Sequence, residues 1–127
     1  MPEKKKVNIL LVEDDNFLID IYKKKLEMEG FKVATCDNGE KCLIDVKKRK
    51  PDLILLDILL PKLDGFAVLE KLKTTAATKD IPVLLLTNLG QKDDVQKGLD
   101  LGAVDYLIKA HFKPSEIVDK IKKVLSL

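Results

Sequence analysis

Five short runs rich in Val, Ile and Leu divide this chain, at residues 7–12, 32–36, 53–56, 82–86 and 104–108. Their apolarity is continuous rather than alternating, and a strand is apolar at every position only when both of its faces are covered. Between and after these runs the apolar spacing turns helical. Phe17, Leu18, Ile21 and Met28 fall on one face, and so do Ile117, Val118, Ile121, Val124 and Leu125. Strand and helix thus alternate five times, which demands parallel strands joined by helical crossovers, with helices on both sides of the sheet. The fold class is α/β, a doubly wound five-stranded parallel sheet with five helices.

Punctuation agrees with that order. Gly30 is placed to end the first helix, Pro51-Asp52 and Ile81-Pro82 lead into strands, and Pro114 stands where a first-turn proline is tolerated. Asp15 or Asn16 is expected to cap the helix that starts near Phe17. The segment 95–101 is the weakest helix: Gly98 costs roughly 1 kcal/mol against alanine there. Its apolar stripe is also thin, so it is expected to be mobile.

A chain of 127 residues suits one domain, taken here as 1–127 with a flexible basic tail over 1–6 and no room for a DNA-binding output domain after Leu127. Lys plus Arg (23) nearly cancel Asp plus Glu (21), so no nucleic-acid partner is expected. Cys36 and Cys42 lack the spacing of a zinc site or a disulfide framework and read as small core residues in a reducing compartment. No apolar run is long enough to cross a bilayer and no signal peptide is evident, which places the chain in the cytoplasm, without membrane insertion.

In an open parallel sheet, ligands collect beyond the carboxyl ends of the strands. Those ends carry Glu13-Asp14-Asp15, Asp57, Thr87-Asn88 and Lys109. Acids brought this close repel unless a cation sits among them, and Mg²⁺ is a hard ion that takes oxygen ligands and also holds phosphoryl oxygens. Asp57 follows Leu53-Ile54-Leu55-Leu56, so its carboxylate emerges from an apolar strand where it could attack an activated phosphorus atom. The hydroxyl of Thr87 and the ammonium of Lys109 could receive the oxygens of the transferred group. Taken singly, an acid after a strand is more often a turn or cap residue, and Tyr106 in an apolar strand is more often plain core.

As an ordered set these residues resemble the receiver domains of two-component response regulators, above all the stand-alone chemotaxis type. The likeness rests on Ile9-Leu10-Leu11-Val12-Glu13-Asp14-Asp15, on Pro51-Asp52-Leu53-Ile54-Leu55-Leu56-Asp57 running into Pro61 and Asp64-Gly65, on Leu86-Thr87, and on Asp105-Tyr106-Leu107-Ile108-Lys109. It covers essentially the whole chain. It implies the strand order 2-1-3-4-5 of a flavodoxin-like three-layer sandwich, an order for which a chemotaxis receiver is a standing example.

The resemblance also implies roles. Asp57 accepts a phosphoryl group from a histidine kinase or phosphotransfer protein in a Mg²⁺-dependent reaction. Asp14, Asp57 and the backbone carbonyl of Leu59 hold the ion, Glu13 helps through a water, and Lys109 pairs with the phosphoryl oxygens. Thr87 and Tyr106 form a switch pair that changes the partner-binding face. The implied function is a single-domain response regulator of a phosphorelay, a monomer or phosphorylation-dependent dimer with a downstream protein target. It catalyses only its own phosphorylation and dephosphorylation.

The chain departs from the family pattern in the run after its active-site lysine, where proline and then an aromatic residue are usual. Here the run is Lys109-Ala110-His111-Phe112. A cis bond before Ala110 would cost about 2.5 to 4 kcal/mol, so trans is expected. His111 is expected on the surface. Leu59 cannot position water, which predicts slow loss of phosphate, and Asn88 directly follows the switch threonine.

Other readings fit less well. A dehalogenase-type phosphatase needs a second acid two residues after its nucleophile, where this chain has Leu59. A nucleotide- or flavin-binding domain needs a glycine-rich loop where it has Glu13-Asp14-Asp15-Asn16. A constitutive scaffold with the same fold stays open, because fold does not fix function.

Overall fold

The computed structural model describes residues 6–127, so the expected basic tail lies, save for Lys6, outside the described residues. Its strands are β1 (Asn8–Val12), β2 (Lys32–Cys36), β3 (Leu53–Leu56), β4 (Val83–Thr87) and β5 (Asp105–Ile108). Its helices are α1 (Asn16–Met28), α2 (Gly39–Arg49), α3 (Gly65–Thr74), α4 (Lys92–Asp100) and α5 (Pro114–Val124). The strands form one parallel sheet in the order β2-β1-β3-β4-β5, as the resemblance implies.

Side chains alternate across a strand, so each apolar run feeds two cores. Ile9, Leu11, Leu53, Leu55, Leu84, Leu86 and Leu107 pack with Tyr22 and Leu26 of α1 and with Ile117, Val118 and Ile121 of α5. On the opposite face Leu10, Val12, Ile54, Leu56, Val83 and Leu85 meet Cys42 and Val46 of α2, Val68, Leu69 and Leu72 of α3, and Val95 of α4. Burying each such side chain stabilises by about 1.5–3 kcal/mol. β3 and β4 are buried at every residue. The edge strands β2 and β5 are only partly covered, because each has a single neighbour in the sheet.

The expected buried face of α1 requires correction. Phe17 and Met28 are 72% and 74% exposed, and Ile21 is also on the outside. Of the four expected residues only Leu18 is turned to the sheet, where Ile19, Tyr22 and Leu26 join it. Only one stripe of a helix can meet the sheet, and this one repeats at four-residue steps from Leu18 through Tyr22 to Leu26. The α5 stripe is buried as expected through Ile117, Val118 and Ile121, with Val124 and Leu125 at its margin.

Local signals hold in detail. Asp15 caps α1 by accepting from the amides of Phe17 (2.9 Å) and Leu18 (3.3 Å). Pro114 opens α5, where the Glu116 side chain accepts from the Lys113 amide at 2.9 Å. Gly30 follows α1 with φ +92°. The Lys109–Ala110 peptide is trans, since no described bond is cis. Cys36 and Cys42 are both buried and free.

Gly98 does more than weaken a helix. A Cβ there would lie 2.6 Å from Leu85 Cδ1 and 2.9 Å from Tyr106 Cδ2, so the missing side chain is what lets α4 settle on β4 and β5. The thin stripe is real: Gly98 is the one fully buried residue of α4, and Gln91 supplies no side-chain cap.

Candidate functional site

Two hydrogen bonds carry the ladder one residue past the strands and so fix the acids. The amide of Glu13 donates to the Cys36 carbonyl at 3.0 Å, and that of Asp57 to the Val12 carbonyl at 3.1 Å. Both carboxylates are thereby held at one rim, and both residues are buried, at 2% and 5% exposure. Asp14, beside them, is exposed.

Gly65 closes the rim from below. A Cβ at this position would fall 2.4 Å from the Asp57 carbonyl oxygen, so only glycine lets α3 start directly against the Asp57 backbone. Asp64 caps that helix through the Ala67 amide at 3.1 Å. Asp64-Gly65 is therefore a structural support for Asp57, a role that sequence spacing alone does not reveal.

Lys109 reaches in from the end of β5. Its Nζ donates to Asp57 Oδ2 at 2.7 Å and to Glu13 Oε1. The second oxygen of each carboxylate meets backbone: Glu13 Oε2 accepts from the Asp14 and Asp15 amides at 3.0 and 3.4 Å, and Asp57 Oδ1 from the Leu59 amide at 3.2 Å. Burial pulls the Lys109 ammonium down, but the two carboxylates outweigh it and hold it above its ordinary value of 10.5. Burial raises Glu13 above 4.5 despite Lys109, with Asp57 pushing the same way. Lys109 is raised because one cation faces two acids, whereas Glu13 is raised chiefly because it is buried.

That surplus negative charge suits a cation. One oxygen from each of Glu13, Asp14 and Asp57 can be chosen within 4.8 Å of one another, against about 4.2 Å for two oxygens across one Mg²⁺. The donors are all hard oxygens and Asp14 opens the group to solvent, so the residues fit a hydrated divalent ion. Leu59 is exposed at 57%, directly beyond Asp57.

The β4 corner is arranged differently. Thr87 is fully buried, and its hydroxyl accepts from the Leu89 amide at 3.3 Å; no hydrogen bond joins it to Asp57 or Lys109. The Tyr106 ring is buried against Gly98, and its hydroxyl donates to the Leu89 carbonyl. Asn88 Oδ1 accepts from the Ala110 amide at 3.2 Å. Asn88 and Ala110 stand far apart in sequence, and their contact exists only because the fold brings two loops together. His111 is exposed in the short 3₁₀ turn Lys109–His111.

A groove of about 770 Å³ lies elsewhere, along α1 between Phe17 and Met28. None of the clustered acids lines it; they stand at the strand-end rim.

Residues 9–122 match the family model described as the response regulator receiver domain. The chain belongs to that family. It is similar to the DNA-binding dual master transcriptional regulator RpaA of Synechocystis sp. (42% identical, covering 92% of this chain and 48% of the relative). It is also similar to the phosphate regulon transcriptional regulatory protein PhoB of Pseudomonas aeruginosa (38%, covering 92% and 51%). The receiver chain thus spans about half the length of these curated relatives. Among solved structures, a putative response regulator from Chloroflexus aurantiacus superposes with TM-score 0.90 at 32% identity, covering 97% of this receiver and all of that chain. The chemotaxis response regulator CheY4 of Vibrio cholerae gives 0.87 at 25%, covering 94% and 99%.

Proposed function

We propose that this receiver domain takes a phosphoryl group onto Asp57 from a phosphohistidine on a histidine kinase or phosphotransfer protein, and thereby changes which partner it binds. The supporting observation is the buried Asp57 carboxylate, held by Lys109 beside Glu13 and Asp14 at the carboxyl ends of the strands. One carboxylate oxygen forms the bond to phosphorus as the phosphorus–nitrogen bond of the donor breaks. The electron pair leaves with the histidine nitrogen. Lys109 stays on the acids and neutralises charge on the transferred oxygens. Asp14, Asp57 and the Leu59 carbonyl would hold Mg²⁺, with Glu13 assisting. Bound there, Mg²⁺ supplies charge neutralisation for the phosphoryl oxygens. Thr87 and Tyr106 relay the change, because both contact the loop that leads to α4.

The protein is not an enzyme toward other substrates in this reading. Incubation with acetyl phosphate and Mg²⁺ followed by intact mass measurement tests it. Wild type gains one phosphoryl group and Asp57→Asn gains none; no adduct on wild type with any small donor would refute it. Leu59→Asn, which adds a polar side chain beside Asp57, shortens the lifetime of the adduct, and an unchanged half-life would break that part.

As a regulator acting alone in the cytoplasm, this chain would bind a protein target and no nucleic acid. That reading draws support from the near-cancelled charge and from the match to a chemotaxis response regulator over 99% of its solved chain. The names and lengths of the curated relatives favour a second reading, the receiver half of a transcriptional regulator. The intact mass of the protein isolated from its own cells separates the two. A mass of 14.3 kDa supports the first; roughly twice that supports the second.

A further inference from the structure

The three residues that follow one another at the end of β4 each tie to something else. Thr87 Oγ1 accepts from the Leu89 amide, the Leu89 carbonyl accepts from the Tyr106 hydroxyl, and Asn88 Oδ1 accepts from the Ala110 amide. The last of these is the only side-chain hydrogen bond between the loop after β4 and the turn that carries Lys109, among the described residues. It depends on a particular residue at each end. A proline at 110 would have no N–H to give, and alanine supplies one that nothing in the turn itself uses.

Lys109 lies one residue before that amide, and its Nζ spans Glu13 and Asp57. The backbone that aims this side chain is short: β5 ends at Ile108, and residues 109–111 form a single 3₁₀ turn closed by the Phe112 amide on the Lys109 carbonyl at 3.4 Å. A tether at Ala110 therefore restrains the lysine directly, and it runs to the residue next to Thr87.

We propose that Asn88 is a positioning residue, which through the Ala110 amide holds Lys109 over Asp57 and couples that lysine to the Thr87 loop. The inference rests on Asp57 being the phosphoacceptor. It adds that the two loops move as one body when the site is occupied.

Amide hydrogen exchange of Ala110 and the rate of phosphorylation by acetyl phosphate with Mg²⁺ test it together, on the full chain. Asn88→Ala removes the acceptor, so exchange at Ala110 quickens by about threefold to tenfold, and the phosphorylation rate falls by a similar factor, the range that one exposed hydrogen bond commands. Asn88→Asp keeps the acceptor oxygen and retains the protection at Ala110. Asn88→Leu, which keeps the bulk of the side chain but offers no acceptor, quickens exchange and lowers the rate as Asn88→Ala does.

Unchanged exchange at Ala110 in Asn88→Ala would overturn the proposal, as would quickened exchange with an unchanged rate of phosphorylation. If wild type forms no adduct, the phosphoacceptor reading fails by itself. The exchange measurement still decides whether the tether exists.

Discussion

Two parts of the same rim stand in different conditions. At the ends of β1, β3 and β5, a half-buried Lys109 is bonded to both Glu13 and Asp57, and the two acids are buried. At the end of β4, Thr87 and Tyr106 are turned to the backbone of their own loop, and neither is hydrogen-bonded to the acids. Under the proposed function, the charges that act together are assembled in advance, which would spare reorganisation when a phosphoryl group arrives. The proposed switch pair is instead parked on the segment before α4, a helix with no side-chain cap.

The hardest test of the charged half is to remove its cation. Lys109→Met leaves two buried carboxylates facing each other, and breaking a buried pair in this way costs about 3 kcal/mol or more. Urea unfolding without divalent ions is expected to show that loss, and added Mg²⁺ is expected to recover part of it. Mild acid should recover some as well. Glu13 in the fold already stands above its ordinary 4.5, so the folded state takes up a proton before the unfolded chain does, and stability rises as pH falls through the folded value. A variant as stable as wild type at neutral pH would mean that the charged half is no more committed than the β4 corner.

How far each half was legible in the sequence follows the same division. The strands announced themselves because burial on both faces leaves no polar position: residues 53–56 are apolar throughout and wholly buried. Glu13, Asp57 and Lys109 were legible because each directly follows such a run, so strand ends alone placed them together. The exposed side of α1 was misjudged because Phe17, Ile21 and Met28 compete with Leu18, Tyr22 and Leu26 for one sheet-facing stripe, and one-dimensional spacing does not rank two stripes. The β4 corner was the least legible. The bond between Asn88 and Ala110 joins residues 22 apart in sequence, and neither type is distinctive by itself.

Gly98 offers the next largest effect, and it separates two opposite expectations. As a plain helix weakener, Gly98→Ala would stabilise by roughly 1 kcal/mol. As a point of close approach, the added methyl strikes Leu85 and Tyr106 and overpacking costs about 1–3 kcal/mol. A net loss of about 1–2 kcal/mol in thermal or urea unfolding is expected, because the Cβ would come within 2.6 Å of a packed neighbour. A more stable variant would show that α4 is free to back away, and the β4 corner would then be looser than its contacts indicate.

The smallest effect concerns the Tyr106 hydroxyl itself. Tyr106→Phe keeps the ring over Gly98 and removes only the bond to Leu89, so about 1 kcal/mol is at stake at neutral pH. A titration gives the sharper reading. Burial, then Asp94 and Asp57, push this phenol from 10.0 up to about 12. A folded value above the unfolded one means that its contribution is complete below pH 10.0 and is lost as pH rises through about 12. The chain has two tyrosines, so in Tyr22→Phe the phenolate absorbance reports Tyr106 alone. A midpoint near 12 keeps the hydroxyl parked on Leu89. A midpoint near 10 would place it in water, and the β4 corner would lose the contact that ties Tyr106 to the loop beside Thr87.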